Sequence, residues 1–252
     1  RGLGDVYKRQ DKNKLALNPS EFPEVEYPAD SGIFVPIAPD ANVKGRYSLH
    51  LHKTGVDDVE KPAIVEGNAV FGSPGWGFAH HESNAVLHNN ATYNTFGAGF
   101  VAESGNEIGT WSSNIAIYAK GVNETIVKDQ SDPDNFDTAN GGDGFFFQGR
   151  MVENFDNIAA SVNHGFAYYH RGRDDDPATG LDGQVSFDSV LFDFPDALGS
   201  GLATADDTPI TNFYNNEVIA ANEGVHVVKS HPLQGHDIHT HLLNHTAWEV
   251  DR

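Results

Sequence analysis

The chain has 252 residues and no cysteine, and 36 Asp plus Glu outweigh 16 Lys plus Arg for a formal net charge of −20. This length suits one large all-β domain or two small ones, and the absence of cysteine excludes disulfides and leaves the redox compartment open. The acidity argues against nucleic acid and anionic membrane surfaces as partners and fits a solvated or Ca²⁺-rich exterior; no apolar run reaches the roughly 18 residues needed to span a bilayer.

Residues 1–10 (RGLGDVYKRQ) lack an initiator Met and share no pattern with the rest of the chain, so they read as non-native sequence. Residues 11–43 are rich in proline and acids, which predicts irregular chain with short edge strands, GIFVPI among them. The pattern tightens at Lys44. In RYSLHLH, Tyr47, Leu49 and Leu51 alternate with Arg46, Ser48, His50 and His52, which predicts a strand with one buried face. Residues 53–62 are a turn segment. Beyond it, two segments align without a gap at a spacing of 22: Asn68 on Asn90, Phe71 on Tyr93, Gly77 on Gly99, Phe78 on Phe100 and His81 on Glu103. A fixed period in this range marks a solenoid. Short apolar alternations, with no helical stripe, select a right-handed single-stranded parallel β-helix of ~22-residue coils over residues 44–252. Each coil is expected to carry a first strand (NAVF, NATY), a glycine corner and a second strand (GFAHH, GFVAE). The repeated Asn is expected to stack on the Asn of the next coil.

Asn114 opens a further coil. Residues 121–143, rich in Asp, Asn and Gly, read as a long loop inserted in a coil, with a degenerate coil as the rival count. GDGFFFQG (142–149) and DNIAASVNHGFAYYHRG (156–172) resume the pattern. Residues 173–185 form an acidic loop, FDSVLFDF a strand and DALGSGLATADDTP a loop. NNEVIAANEGVHVV is a coil with Asn215, Gly224 and Val225 at the repeat positions, and HDIHTHLLNHTAWEV begins another. The last coil shows no polar cap, so truncation at the C-terminal end is expected.

Stacking the second strands puts Leu49, Phe78, Phe100, Phe145, Phe166 and Val225 in one inward column. Three residues on, and outward, come His52, His81, Glu103, Gln148, Tyr169 and Val228. With strands ~4.8 Å apart, His52, His81 and Glu103 stand side by side on a solvent-facing ridge, with His50 and Arg46 on the same face. Two imidazoles and a carboxylate can hold a divalent transition-metal ion. They can equally act as an acid–base group in which Glu103 raises the pKa of His81. Outer polar residues are also commonly just solvated, so spacing alone leaves the three readings open. His80 and Tyr168 are expected inside. Asp174, Asp175 and Asp176 offer hard ligands for Ca²⁺, and HPLQGHDIHTH (231–241) has His density without a regular helical pair. No Walker loop, dinucleotide fingerprint or G-x-S-x-G motif occurs, so no organic cofactor is expected.

The run GRYSLHLHKTG, SPGWGFAHHES, GAGFVAESGNEIG, NIAIYAKG and GDGFFFQG resembles the right-handed parallel β-helix proteins related to CEMIP and the transmembrane hyaluronidase. The resemblance covers 44–172 well and 213–250 loosely. It places the family's H-x-H strand, second-coil His and third-coil acid on His50, His52, His81 and Glu103. One departure is that Ser104 stands where an acid follows in the animal proteins. The resemblance implies a secreted or cell-surface protein cleaving a glycosaminoglycan-like or uronate-containing polysaccharide, as a monomeric part of a larger chain. His81, Glu103 and His52 would be catalytic, and Arg46, His50, Gln148, Tyr169 and Arg150 would contact substrate. A second acid for hydrolysis is expected at Asp143 or in the 121–143 loop. Arg46, Lys53, Arg150 and Arg171 would offset the net negative charge. The alternative is a non-catalytic carbohydrate-binding or adhesive module.

Overall fold

The computed structural model describes residues 47–121, 127–128, 136–137, 139–169, 184–186, 202–204, 208–210, 212–228 and 239–251. The expectations for residues 1–46 (Arg46 included), for His170, Arg171 and Asp174–Asp176, and for most of 231–241 fall outside the described residues.

The described residues form strands and turns without helix. In chain order the strands are β1 (Leu49–Gly55), β2 (Ala63–Glu66), β3 (Ala69–Phe71), β4 (Phe78–His88), β5 (Ala91–Thr95), β6 (Phe100–Ala102), β7 (Ile108–Ser112), β8 (Ile115–Ala119), β9 (Val127–Lys128) and β10 (Phe136–Asp137). They continue as β11 (Phe145–Phe147), β12 (Val152–Phe155), β13 (Ile158–Tyr169), β14 (Gln184–Ser186), β15 (Leu202–Thr204), β16 (Phe213–Tyr214), β17 (Glu217–Val228), β18 (Leu242–Leu243) and β19 (Thr246–Val250). Apart from the short antiparallel pairs β9–β10 and β14–β15, all pairing among the described residues is parallel and wraps the chain into a β-helix with three faces. The first face stacks β1, the start of β4, β6, β11 and the ends of β13 and β17. The second stacks β2, the end of β4, β7, β12, β16 and β18. The third stacks β3, β5, β8, the starts of β13 and β17, and β19.

Each coil therefore has three strands, not the two expected. The extra one, AVLH in β4 or GTWS in β7, comes close behind its predecessor, without a proline or long loop to announce a new element. The inward column is the one expected: Leu49, Phe78, Phe100, Phe145, Phe166 and Val225 lie in register. The four Phe rings stack nearly face to face at 4.7–4.9 Å. Tyr47, expected inside, precedes β1, escapes its alternation, and stacks on Trp76 in an outer apolar layer.

The repeated asparagines form a ladder. The backbone N–H and the side-chain amide of Asn68 both donate to Asn90 Oδ1, and the same two donations run from Asn90 to Asn114 and from Asn114 to Asn157. Asn157 N–H then donates to Asn216 Oδ1, so the ladder residue is Asn216 and not Asn215. Asn215 sits one position earlier, at a corner where Gly67, Asn89, Ser113 and Asp156 also have φ near +60°; Asn and Asp tolerate this left-handed conformation. A second repeated residue answers to space. A Cβ on Gly77 would meet Gly99 O at 2.4 Å, and one on Gly99 would meet Gly144 O at 2.9 Å, because the chain turns onto the first face there with no room for a side chain.

β6 pairs directly with β11, so no extra coil intervenes, and the loop expected at 121–143 is an insertion between β8 and β11 whose ends, Gly121 and Ala139–Asp143, still bond to the preceding coil. The insertion carries the β9–β10 pair. The segment expected as loop at 196–209 contains β15.

Two expected interior polar residues are inside and satisfied. Tyr168 is buried and accepts from the Asn154 amide. His80 is fully buried; its Nε2–H donates to Ser83 O at 2.6 Å and its Nδ1 faces the Trp111 N–H at 3.3 Å. That arrangement fixes the neutral tautomer, since a proton on Nδ1 would meet another donor. Burial accordingly holds the His80 pKa down at about 4. An unfolded chain takes up this proton near pH 6.5, so stability present above that pH is lost as the pH falls towards 4, by about 3 kcal/mol. Urea unfolding at neutral pH and at about pH 4 measures the loss. An imidazole resonance of His80 titrating at the ordinary value would contradict it.

Candidate functional site

The site forms where the first face ends. β1 and β4 run in register with His52 beside His81, and the Glu103 N–H donates to His80 O just past β6. Strand alternation sends His50 and His52 outward from β1, and His81 and Glu103 outward from the next two coils. His81 Nδ1 lies 3.0 Å from Glu103 Oε2, and His81 Nε2 lies 3.3 Å from Glu82 Oε1. His50 Nε2 lies 3.9 Å from the same Glu103 oxygen. The His52 ring is 4.9 Å from His50 and 4.5 Å from His81. The structure thus brings together His50, His52, His81 and Glu103. His50, expected as a substrate contact, is a full member of the group.

Environment separates the imidazoles. Burial and the neighbouring His52 and His81 rings hold the His50 pKa at about 4 against the pull of Glu103. For His81, burial works against charge, but the hydrogen bond and charge of Glu103, with the charges of Glu107 and Glu82, raise its pKa. Both ring nitrogens of His81 face carboxylates, the setting of an imidazolium. One donor atom each from His50, His52 and His81 falls within 4.8 Å of the others, a set that suits a divalent transition ion after side-chain rotation.

Glu107 gave no signal in the repeat pattern and yet shapes this corner. It is buried, and its carboxylate accepts from the Glu82, Ser104 and Gly105 N–H groups. It therefore ties the loop that carries Glu103 to the strand that carries His81. Burial is the main influence on its pKa and raises it, against these three N–H groups and its own backbone N–H, which favour the charge. Glu107→Ala strands three backbone donors and is expected to cost about 3 kcal/mol. Glu107→Gln, which keeps an acceptor oxygen, is expected to cost less. Denaturant unfolding of both variants checks the order.

Several expected contacts are corrected. The outer surface of the first face is not an open ridge along its length. Over the middle coils Ala79, Val101, Phe146 and Ala167 lie under Trp76, Ala98 and Ala139, so among the described residues this face is open at its two ends, at β1 and at β17, and covered between them. Gln148 and Arg150 are buried, at 1% and 8% exposure, and Arg150 donates to Thr208 O; neither is open to a glycan. Asp143 is fully buried and bonded to His164, which rules it out as an open second acid. Tyr169 is half-buried and lies face-on to His226. Lys53 is exposed and paired with Glu82.

One exposed feature was unforeseen. On the third face of the same coils, Phe71, Tyr93 and Tyr118 form a row with ring separations of 5.5 and 6.3 Å. They are 76%, 46% and 45% exposed. The alignment of Phe71 with Tyr93 in the repeat was the available sign.

The family model described as CEMIP beta-helix matches residues 40–225, most of the chain. Comparison with curated proteins and with solved structures finds no match.

Proposed function

Because this chain belongs to the CEMIP beta-helix family, we propose that it is a secreted or cell-surface protein that cleaves an acidic, uronate-containing polysaccharide at the His50–His52–His81–Glu103 group. The observation that carries this is the convergence of three imidazoles and a carboxylate from three coils on one open edge. Proton transfer from positioned side chains is worth about 10²–10⁴ in rate. His81, held as imidazolium between Glu82 and Glu103, donates to the leaving glycosidic oxygen. His50, neutral at physiological pH, accepts a proton from the attacking water or from the carbon beside the uronate. The charge on His81 also supplies a local cation for an acidic glycan on a chain of net charge −20. With His81 neutral instead, His50, His52 and His81 would hold a divalent ion that polarises a substrate oxygen, and His81 would then not serve as the proton donor. The exposed aromatic row supplies flat apolar faces against which sugar rings stack.

No helix among the described residues is long and apolar enough to cross a membrane. The test is reducing-end release by the purified chain on a panel of acidic and neutral polysaccharides, with and without chelator. Absorbance of an unsaturated uronate product separates elimination from hydrolysis. Cleavage of acidic members supports the reading. Binding without cleavage of any member overturns it in favour of a carbohydrate-binding module.

A further inference from the structure

A second histidine–carboxylate group lies at the far end of the first face. His50, Ala79, Val101, Phe146, Ala167 and His226 occupy one outer column in register. Five strand spacings of ~4.8 Å put His226 roughly 24 Å from His50, well beyond the reach of the first group. β13 and β17 bring His164 beside Glu223 and Ala167 beside His226. The His164 and His226 rings are 4.9 Å apart. Each is anchored through Nδ1: His164 to Asp143 Oδ1 at 2.5 Å, and His226 to Glu223 Oε2 at 2.5 Å. One donor atom each from His164, Glu223 and His226 falls within 4.8 Å of the others.

Two further observations point to a ligand. Asp143 is fully buried, and its Oδ2 has no hydrogen-bond partner among the described residues. His164 is itself only 6% exposed, so this pair is held inside the wall, whereas Glu223 and His226 remain reachable, with side chains 24% and 31% exposed. His164, anchored to Asp143 through Nδ1 with Nε2 left to coordinate, has the usual arrangement around a protein-bound transition ion, and the partly exposed His226 and Glu223 release each other by side-chain rotation to ligate.

We propose that His164, His226 and Glu223 bind a divalent ion of the zinc class, with Asp143 as the residue that positions His164. The ion joins neighbouring coils, β13 to β17, and owes nothing to the cleavage chemistry proposed for the other group. Zinc titration calorimetry tests it in a His50→Ala/His52→Ala/His81→Ala background, which removes the first group's three imidazole donors. One zinc is expected to bind, and zinc is expected to raise the thermal midpoint of this background. Adding His226→Ala, a partly exposed position, lowers affinity by 100-fold or more and abolishes the zinc-dependent rise in midpoint. Asp143→Asn keeps the shape and weakens zinc by about 10–100-fold; a merely structural Asp143 would alter the metal-free midpoint and leave zinc affinity unchanged. Absence of zinc binding in the background protein, or binding untouched by His226→Ala, overturns the proposal. Neither result bears on polysaccharide cleavage.

Discussion

Replacing His81 with Ala is expected to reduce polysaccharide cleavage by 100-fold or more. Among the described side chains of the open edge, His81 alone has both ring nitrogens set against carboxylates, at 3.0 and 3.3 Å. Removing it therefore takes away the proposed proton donor and leaves Glu82 and Glu103 without the imidazole between them. General acid–base contributions of about 10²–10⁴ set the scale. His81 is partly exposed, so the loss should appear in turnover with little change in the unfolding midpoint. His88→Ala is the matched control: His88 is also half-buried in β4, but it bonds Ser112 Oγ on the second face and is remote from the cluster. Rates on the responsive polysaccharide, with unfolding curves for all three proteins, decide the matter. Full activity in His81→Ala would remove the imidazole from the mechanism.

Phe100→Ala is expected to lower unfolding free energy by about 4 kcal/mol. Phe100 is fully buried, and its ring lies 4.8 Å from Phe78 and 4.9 Å from Phe145, nearly parallel to both, with Trp111 at 6.0 Å. Truncation opens a cavity between two coils, and parallel ladders on either side resist its collapse. A solenoid is held together by contacts between neighbouring repeats, so a gap in the third coil weakens both of its interfaces. In a chain of this size the change corresponds to a fall in thermal midpoint of roughly 10 °C. Calorimetry or urea unfolding measures it, and Phe100→Leu, which refills part of the volume, should recover much of the loss.

Much of the architecture was legible in the residues. The spacing of Asn68 to Asn90 and of Phe78 to Phe100 carried the stacking, and the ladder and ring column obey it. His50, His52, His81 and Glu103 were also legible as a group, because parity assigns each to the outer face and register assigns them to neighbouring strands. The third strand of each coil was not legible. AVLH in β4 runs on from FAHHES with only a left-handed Glu82 to mark the bend. The one-residue offset at Asn215 has a similar origin, since adjacent asparagines serve a corner and a ladder there.

Glu107, Gln148 and Asp143 show the other limit. Parity says which way a side chain points, and it cannot say what lies above it. Gln148 points outward and is 1% exposed, and Asp143 is sealed against His164. Sequence alone determined the coil, its inward column and the membership of the histidine–carboxylate edge, because those depend on periods of 2 and about 22 residues along a single chain. Only the tertiary structure decided which outward residues meet solvent, which imidazole is pushed towards its charged form, and that a second group gathers on β13 and β17. Those outcomes depend on burial and on charges brought together across distant coils, and no local period records them.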